Sequence, residues 1–140
     1  MEKPIIIIGK SASGKTTLAK KIASFYNEDE VCFISYRRND IVHDFFFSKC
    51  TINTRLIVIE EFYDLNQIRD FIHIVSKNLD VQKKGENSFK INPQYVFTCQ
   101  KDPIDCLNIE LIDSLSVFFK IVFLINGVCL SVLNKQLTIS

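Results

Sequence analysis

The chain opens with a short, unbroken apolar run, Pro4-Ile5-Ile6-Ile7-Ile8, which stops at Gly9. A run of this length without alternation predicts a strand covered on both faces, as in a parallel sheet. Small and polar residues fill positions 9–14. From Lys15 the period becomes helical, with Leu18, Ile22, Phe25 and Tyr26 on one face. Val31–Ser35 and Leu56–Ile59 read as a second and a third strand, the third ended abruptly by Glu60-Glu61. Tyr95–Thr98 reads as a fourth, broken by Asp102-Pro103.

Between the third and fourth strands, Asp64 has the look of an N-cap, with Gln67 at capping-box spacing. Leu65, Ile68, Ile72 and Val75 make the inner stripe of the helix that follows. Asn78 to Phe89 is polar and predicts a loop around Lys83-Lys84-Gly85-Glu86-Asn87. Shorter helices are expected over Ile41–Lys49 and near Ile109–Leu111. Near the C-terminus, Ile121–Ile125 and Val128–Leu133 flank Asn126-Gly127, a strong two-residue hairpin signal. Strands that alternate with helices imply an α/β layer fold with a mainly parallel sheet, here closed by a C-terminal β-hairpin.

The small-residue segment carries chemistry. Gly9-Lys10-Ser11-Ala12-Ser13-Gly14-Lys15-Thr16 fits G-x-x-x-x-G-K-[ST] at every required position, with a strand before it and a helix after it. The glycines let the backbone turn tightly, so that successive N–H groups point at a phosphate. The helix N-terminus adds partial positive charge. Gly9 through Thr17 are therefore the expected nucleotide-binding residues. Lys15 is expected to reach the β- and γ-phosphates, and Thr16 to ligate Mg²⁺.

Two further strand ends extend this reading. Glu60 and Glu61 close a buried strand, at the end that faces the ligand crevice in a parallel sheet. One carboxylate can hold the Mg²⁺ shell and the other can orient or deprotonate water. Adjacent side chains on a strand face opposite ways, so both must turn at its terminus to serve one crevice. In Tyr95-Val96-Phe97-Thr98-Cys99-Gln100, a polar group at the strand exit is placed to touch the γ-phosphate or the attacking water. Gln100 is the first choice and Thr98 the second.

The P-loop at 9–16, LIVIEEF at 56–62, KKGEN at 83–87 and YVFTCQKDP at 95–103 together resemble the A, B, B′ and C motifs of superfamily 3 helicases. These are the ATPase domains of replication proteins of small single-stranded DNA viruses and plasmids, and of picornavirus-type ATPases. The resemblance covers roughly residues 4–125. It implies a P-loop NTPase three-layer sandwich of the AAA-like kind, a single domain over residues 1–140, with ATP and Mg²⁺ as cofactors. Glu60 then falls at the acidic Mg²⁺ position and Glu61 at the catalytic carboxylate. Lys83, Lys84 and Gly85 fall in the B′ loop, which contacts single-stranded DNA or RNA in a homo-oligomeric ring. Gln100 stands where the family has an Asn sensor. The family also places an arginine after the sensor strand, to reach a neighbour's γ-phosphate. Here no Arg follows Arg69, and Lys120 in that stretch lacks the guanidinium fork. An arginine finger is worth ~10³–10⁵ in turnover.

Composition narrows the setting. The chain has 140 residues, 47% of them hydrophobic, enough for one domain with a real core. Seventeen Lys+Arg against sixteen Asp+Glu leave a net charge of +1, so nucleic-acid binding must rest on a local patch. With the P-loop starting at Gly9, a nearly bare ATPase core is expected, without an upstream origin-binding or nicking domain. The five cysteines show no CxxC spacing and read as reduced, mostly buried thiols rather than a zinc site. No signal peptide is expected from Met1–Gly9, and the expected location is intracellular, in a host nucleus or cytoplasm. Leu115–Leu133 has the length of a membrane span, but Lys120, Asn126 and Gly127 interrupt it and its residues suit strands, so no span is expected.

Other features have plainer readings. The two lysines at 83–84 also suit an ordinary solvated turn. Arg37-Arg38 reads as a solvated loop, His43-Asp44 as structural, and Phe45-Phe46-Phe47 as core or subunit contact. Two other functions stay open. A small P-loop kinase shares the loop and the layers, although no lid arginines follow the fourth strand. A non-catalytic, nucleotide-dependent assembly module fits the missing arginine.

Overall fold

The computed structural model describes residues 3–36, 46–106, 110–133 and 136–139. Arg37-Arg38, His43-Asp44 and Phe45 lie outside them. In chain order the elements are β1 (Ile5–Gly9), α1 (Lys15–Ala23), β2 (Val31–Ser35), β3 (Leu56–Phe62), α2 (Leu65–Arg69), α3 (Ile72–Val75), β4 (Leu79–Val81), β5 (Phe89–Ile91), β6 (Gln94–Gln100), α4 (Pro103–Cys106), α5 (Glu110–Ser116), β7 (Lys120–Ile125), β8 (Val128–Leu133) and β9 (Gln136–Ile139).

Among the described residues seven strands form one sheet, in the order β2-β3-β6-β1-β7-β8-β9. The first five are mutually parallel, and β8 and β9 are antiparallel additions. The protein is therefore mixed α/β with a mostly parallel sheet. The position of β6 matters most. It inserts between β1 and β3, so three strand ends that are distant in sequence become neighbours.

Both faces of the central strands are covered, as their unbroken apolar runs predict. On one face Ile7, Leu56, Val58 and Val96 pack with Ala19 and Ala23 of α1. On the other, Ile8, Ile59 and Phe97 pack with Leu65 and Ile68 of α2, Phe71, and Ile112 and Leu115 of α5. Tyr36, Phe62, Phe71 and Phe97 form an aromatic cluster here, with Tyr36 stacked on Phe62 at 4.4 Å between centroids. Each fully buried Phe contributes roughly 1.5–3 kcal/mol.

Several sequence expectations hold. Asp64 caps α2, accepting from Asn66 N at 2.9 Å, and Gln67 completes the capping box. Asn126 (φ 51°) and Gly127 (φ 77°) make the turn between β7 and β8, so the stretch from 115 to 133 is a helix end and a hairpin. Among the described residues no helix is long and apolar enough to cross a membrane. Phe46 and Phe47 belong to the aromatic core, as the plainer reading had it. The cysteines are free, four of them buried.

Other expectations need correction. Phe25 lies beyond the end of α1 and is 82% exposed, and the helix packs through its two alanines because small side chains allow close approach to the sheet. The helix expected from Leu65 to Val75 breaks at Asp70, which turns the fully buried Phe71 into the aromatic cluster and leaves Ile72 and Val75 only half-buried. Residues 46–49 form a turn rather than the end of a helix. The predicted polar loop is in part a hairpin, β4 with β5, and β9 was not anticipated.

Candidate functional site

Gly9 ends β1 and the chain turns at once. A Cβ there would meet Ser13 Oγ and crowd Ser13 Cβ and Leu124 Cβ at 3.1 and 3.3 Å, so a larger residue would force the loop to shift. Ser13 N donates to Lys10 O at 3.2 Å to close the loop, with Ala12 at φ 60° and Gly14 at φ 99°. The left-handed Gly14 is the N-cap of α1, and no side chain caps the helix. The first N–H groups of a helix lack intrahelical partners, so those of Lys15, Thr16 and Thr17 point out of this end. A cavity of ≈ 260 Å³ lined by Ala12 through Thr17 lies at the helix start.

Lys15 Nζ donates to Lys10 O at 2.6 Å, which folds the side chain back over the loop. Burial lowers its pKa below the ordinary lysine value. The loop is also tied to the strand beside it. Lys101 N donates to Gly9 O at 3.1 Å, and Lys10 pairs with Asp102 at 3.3 Å. Asp102 in turn caps α4, accepting from Ile104 N.

The two glutamates occupy a β-bulge. Ile59 pairs with Phe97 and Phe62 with Cys99, so three residue steps on β3 match two on β6. Ile59 and Phe62 both face the aromatic cluster. Glu60 and Glu61 thus take the place of one residue on the α1 side, opposite Thr98. The bulge is made by Glu61, which is exposed and left-handed at φ 72°. It settles how two adjacent carboxylates come to the same side of one strand.

Glu60 is half-buried, and its Oε1 is buried without a hydrogen-bond partner in the protein. Ser35 stands opposite Glu60 in β2, and its Oγ is equally orphaned. Ser13 Oγ is a third such atom. Tyr95 Oη is another, and buried polar atoms are normally paired, so the neighbouring Ser35 and Glu60 oxygens at the carboxyl ends of β2 and β3 are candidates for a polar ligand.

Gln100 is exposed and is the register partner of Gly9. Thr98 is 4% exposed and pairs with Ile7, two rows deeper. The first choice thus stands beside the P-loop, while the second stands beside the bulge.

Two predicted groups lie elsewhere. Lys83, Lys84 and Gly85 (φ 76°) connect β4 to β5, with Lys83 Nζ 6.0 Å from the Phe89 ring centroid. β5 runs into the amino end of β6 across only Asn92 and Pro93, so this hairpin is rooted at the sheet edge opposite the P-loop. Lys120 begins β7 opposite Ile5, four rows or about 13 Å from the Gly9 row. It does not join the P-loop end of the sheet in its own chain.

Sequence reasoning missed Ser35, Asp102, Ile104 and Asn126. The last three line a second cavity, of ≈ 500 Å³, on the other side of the P-loop. Nothing in the sequence pairs Asp102 with Lys10, because the contact depends on β6 lying next to β1.

No family model matches this chain. No curated protein matches it either. Among solved structures it is similar to the apo A form of the NrS-1 C-terminal region, with a TM-score of 0.55 at 14% identity over 89% of this chain. The likeness is one of fold. The chain spans 29% of the length of that neighbour.

Proposed function

We propose that this chain binds ATP with Mg²⁺ through Gly9–Thr17 and hydrolyses it, as a P-loop ATPase domain of the superfamily 3 helicase type acting on single-stranded nucleic acid. One observation carries the reading. The P-loop, the two glutamates and Gln100 end at the same edge of the parallel strands, because β6 lies between β1 and β3. Ligands of open α/β sheets bind outside the carboxyl ends of the strands.

The residues fit Mg²⁺. This ion uses one or two carboxylates together with substrate phosphate oxygens, and it does not need a protein cage. Thr16 and Glu60 would hold it, and when bound it would neutralise charge on the phosphates. The rest is done by the chain itself. The uncapped N–H groups of α1 and the Lys15 ammonium bind the phosphates and stabilise charge on the γ-group. Glu61, set off from the strand by the bulge, takes the proton of the attacking water. Gln100 orients the transferred group beside Gly9. Lys84 and its hairpin track phosphates of a single strand without reading bases.

The decisive experiment measures phosphate release with and without single-stranded DNA and RNA, alongside oligomer mass. Stimulation by a single strand in a multisubunit species is the expected result, with Lys84→Ala losing the stimulation while keeping basal release. Flat activity from a monomer overturns the helicase reading. A non-catalytic assembly module is the second reading. It is favoured by the lack of any Arg after Arg69 together with Lys120 lying at the far edge. Nucleotide binding without turnover in assembled rings would establish it.

A further inference from the structure

The phosphate cavity ends at Ala12 and Ser13, and these two residues also line the ≈ 500 Å³ cavity on the other side of the loop. The two spaces therefore share a wall, and the second has the volume of a ligand pocket. Its remaining walls come from the start of α4 and from the β7–β8 turn, which β1 brings together by lying between β6 and β7.

Its chemistry is mixed in a particular way. Ile104 is 65% exposed, an apolar surface left uncovered at the mouth of a cleft. Asn126 lines the same cleft; its left-handed backbone makes the turn, and its exposed amide carries a donor and an acceptor side by side. The Lys10–Asp102 ion pair adds charged groups to the lining. A flat apolar wall faced by an amide suits a nucleobase. The aliphatic side chain covers the ring face, and an asparagine amide matches the paired donor and acceptor on a purine edge. The carboxylate of Asp102 offers acceptor lone pairs to ribose hydroxyls.

We infer that this cleft receives the purine and ribose of the nucleoside triphosphate, with Ile104 against the ring face and Asn126 at the ring edge. The assignment rests on the phosphate reading of Gly9–Thr17 and adds to it the part of the ligand that the P-loop does not touch. The triphosphate then threads from the cleft past Ala12 and Ser13 to the start of α1.

Calorimetry on the whole chain with Mg²⁺ tests this, using inorganic triphosphate, ATP and CTP. ATP binds at least about tenfold more tightly than inorganic triphosphate and more tightly than CTP, the scale of one well-made contact. Ile104→Ser and Asn126→Gly each weaken ATP about tenfold and leave triphosphate unchanged. Ile104 is exposed and glycine accepts the backbone of position 126, so both variants fold. ATP no tighter than triphosphate, or ATP affinity unmoved in both variants, overturns the base cleft while the phosphate site stands. Failure of triphosphate and ATP alike overturns both.

Discussion

Ser35 and Glu60 face each other across β2 and β3, and each holds a buried oxygen with no partner in the protein. An unpartnered buried polar group costs about 1–3 kcal/mol. A pair of them sits at the carboxyl ends of β2 and β3, the sheet end at which the P-loop also lies. Glu60→Gln is therefore expected to leave the melting temperature of the empty protein unchanged or raised, and to abolish the extra stabilisation by ATP with Mg²⁺ over ATP alone. Thermal melts with and without Mg²⁺ check this. A variant that melts lower yet keeps the Mg²⁺ effect would assign Glu60 to structure.

Lys15→Ala is expected to abolish nucleotide binding. Undiminished ATP affinity in that variant, measured by calorimetry, would remove the P-loop from the account. The native lysine gives a second, signed prediction. Burial lowers its pKa, so the folded chain holds this proton less tightly than the unfolded one. Between the lowered folded pKa and the ordinary 10.5, the stability of the empty protein gains from this group as pH rises. Over the same window ATP affinity falls, because neutral Lys15 no longer attracts phosphate. Melts and titrations in the alkaline range should move in opposite directions, and neither trend should appear in Lys15→Ala.

Glu61 combines chemistry with backbone strain, and two substitutions separate them. Glu61→Gln should bind ATP and lose about 10²–10⁴ in turnover, the usual contribution of a general base. Glu61→Gly should lose turnover as well but gain roughly 1 kcal/mol of stability, since glycine accepts φ 72° without penalty. Single-turnover phosphate release and denaturant unfolding measure the two effects. Full activity in Glu61→Gln would move the base elsewhere.

The thiols report on the fold itself. Cys32, Cys50, Cys99 and Cys106 are buried, and Cys129 is half-buried. Burial pushes Cys99 up to about 12, which removes the reactive thiolate at neutral pH. A brief pulse of a thiol reagent should modify Cys129 first, with the other four reacting only on unfolding. Mass spectrometry after digestion reads the order, and early labelling of Cys99 would contradict the central position of β6.

The strands of the parallel core were legible because each is a short apolar run bounded by turn residues, and the P-loop because its spacing is rigid. The Asn126-Gly127 turn and the Asp64 cap were equally local. What escaped detection depends on strand order or on packing. Phe25 shares a helical face with Leu18 and Ile22 on paper, but α1 ends at Ala23. Phe71 sits off the predicted stripe because the helix breaks to bury it. Residues 79–81 and 89–91 alternate apolar and charged positions but are too short, three residues each, to announce a hairpin. The roles of Ser35, Asp102 and Asn126 arise only once β2, β6 and β7 flank β3 and β1.

The bulge at Glu60-Glu61 also sets a rule about length. Ile59 and Phe62 can both reach the aromatic cluster only because the chain has one residue more than its partner strand. Removing one glutamate outright would restore the two-for-two register, with Phe62 still opposite Cys99 on the aromatic side and a single carboxylate left opposite Thr98. A deletion here therefore halves the acidic pair while the aromatic packing keeps its register. A chain one residue shorter between Ile59 and Phe62 is expected to keep the fold and to lose the second carboxylate.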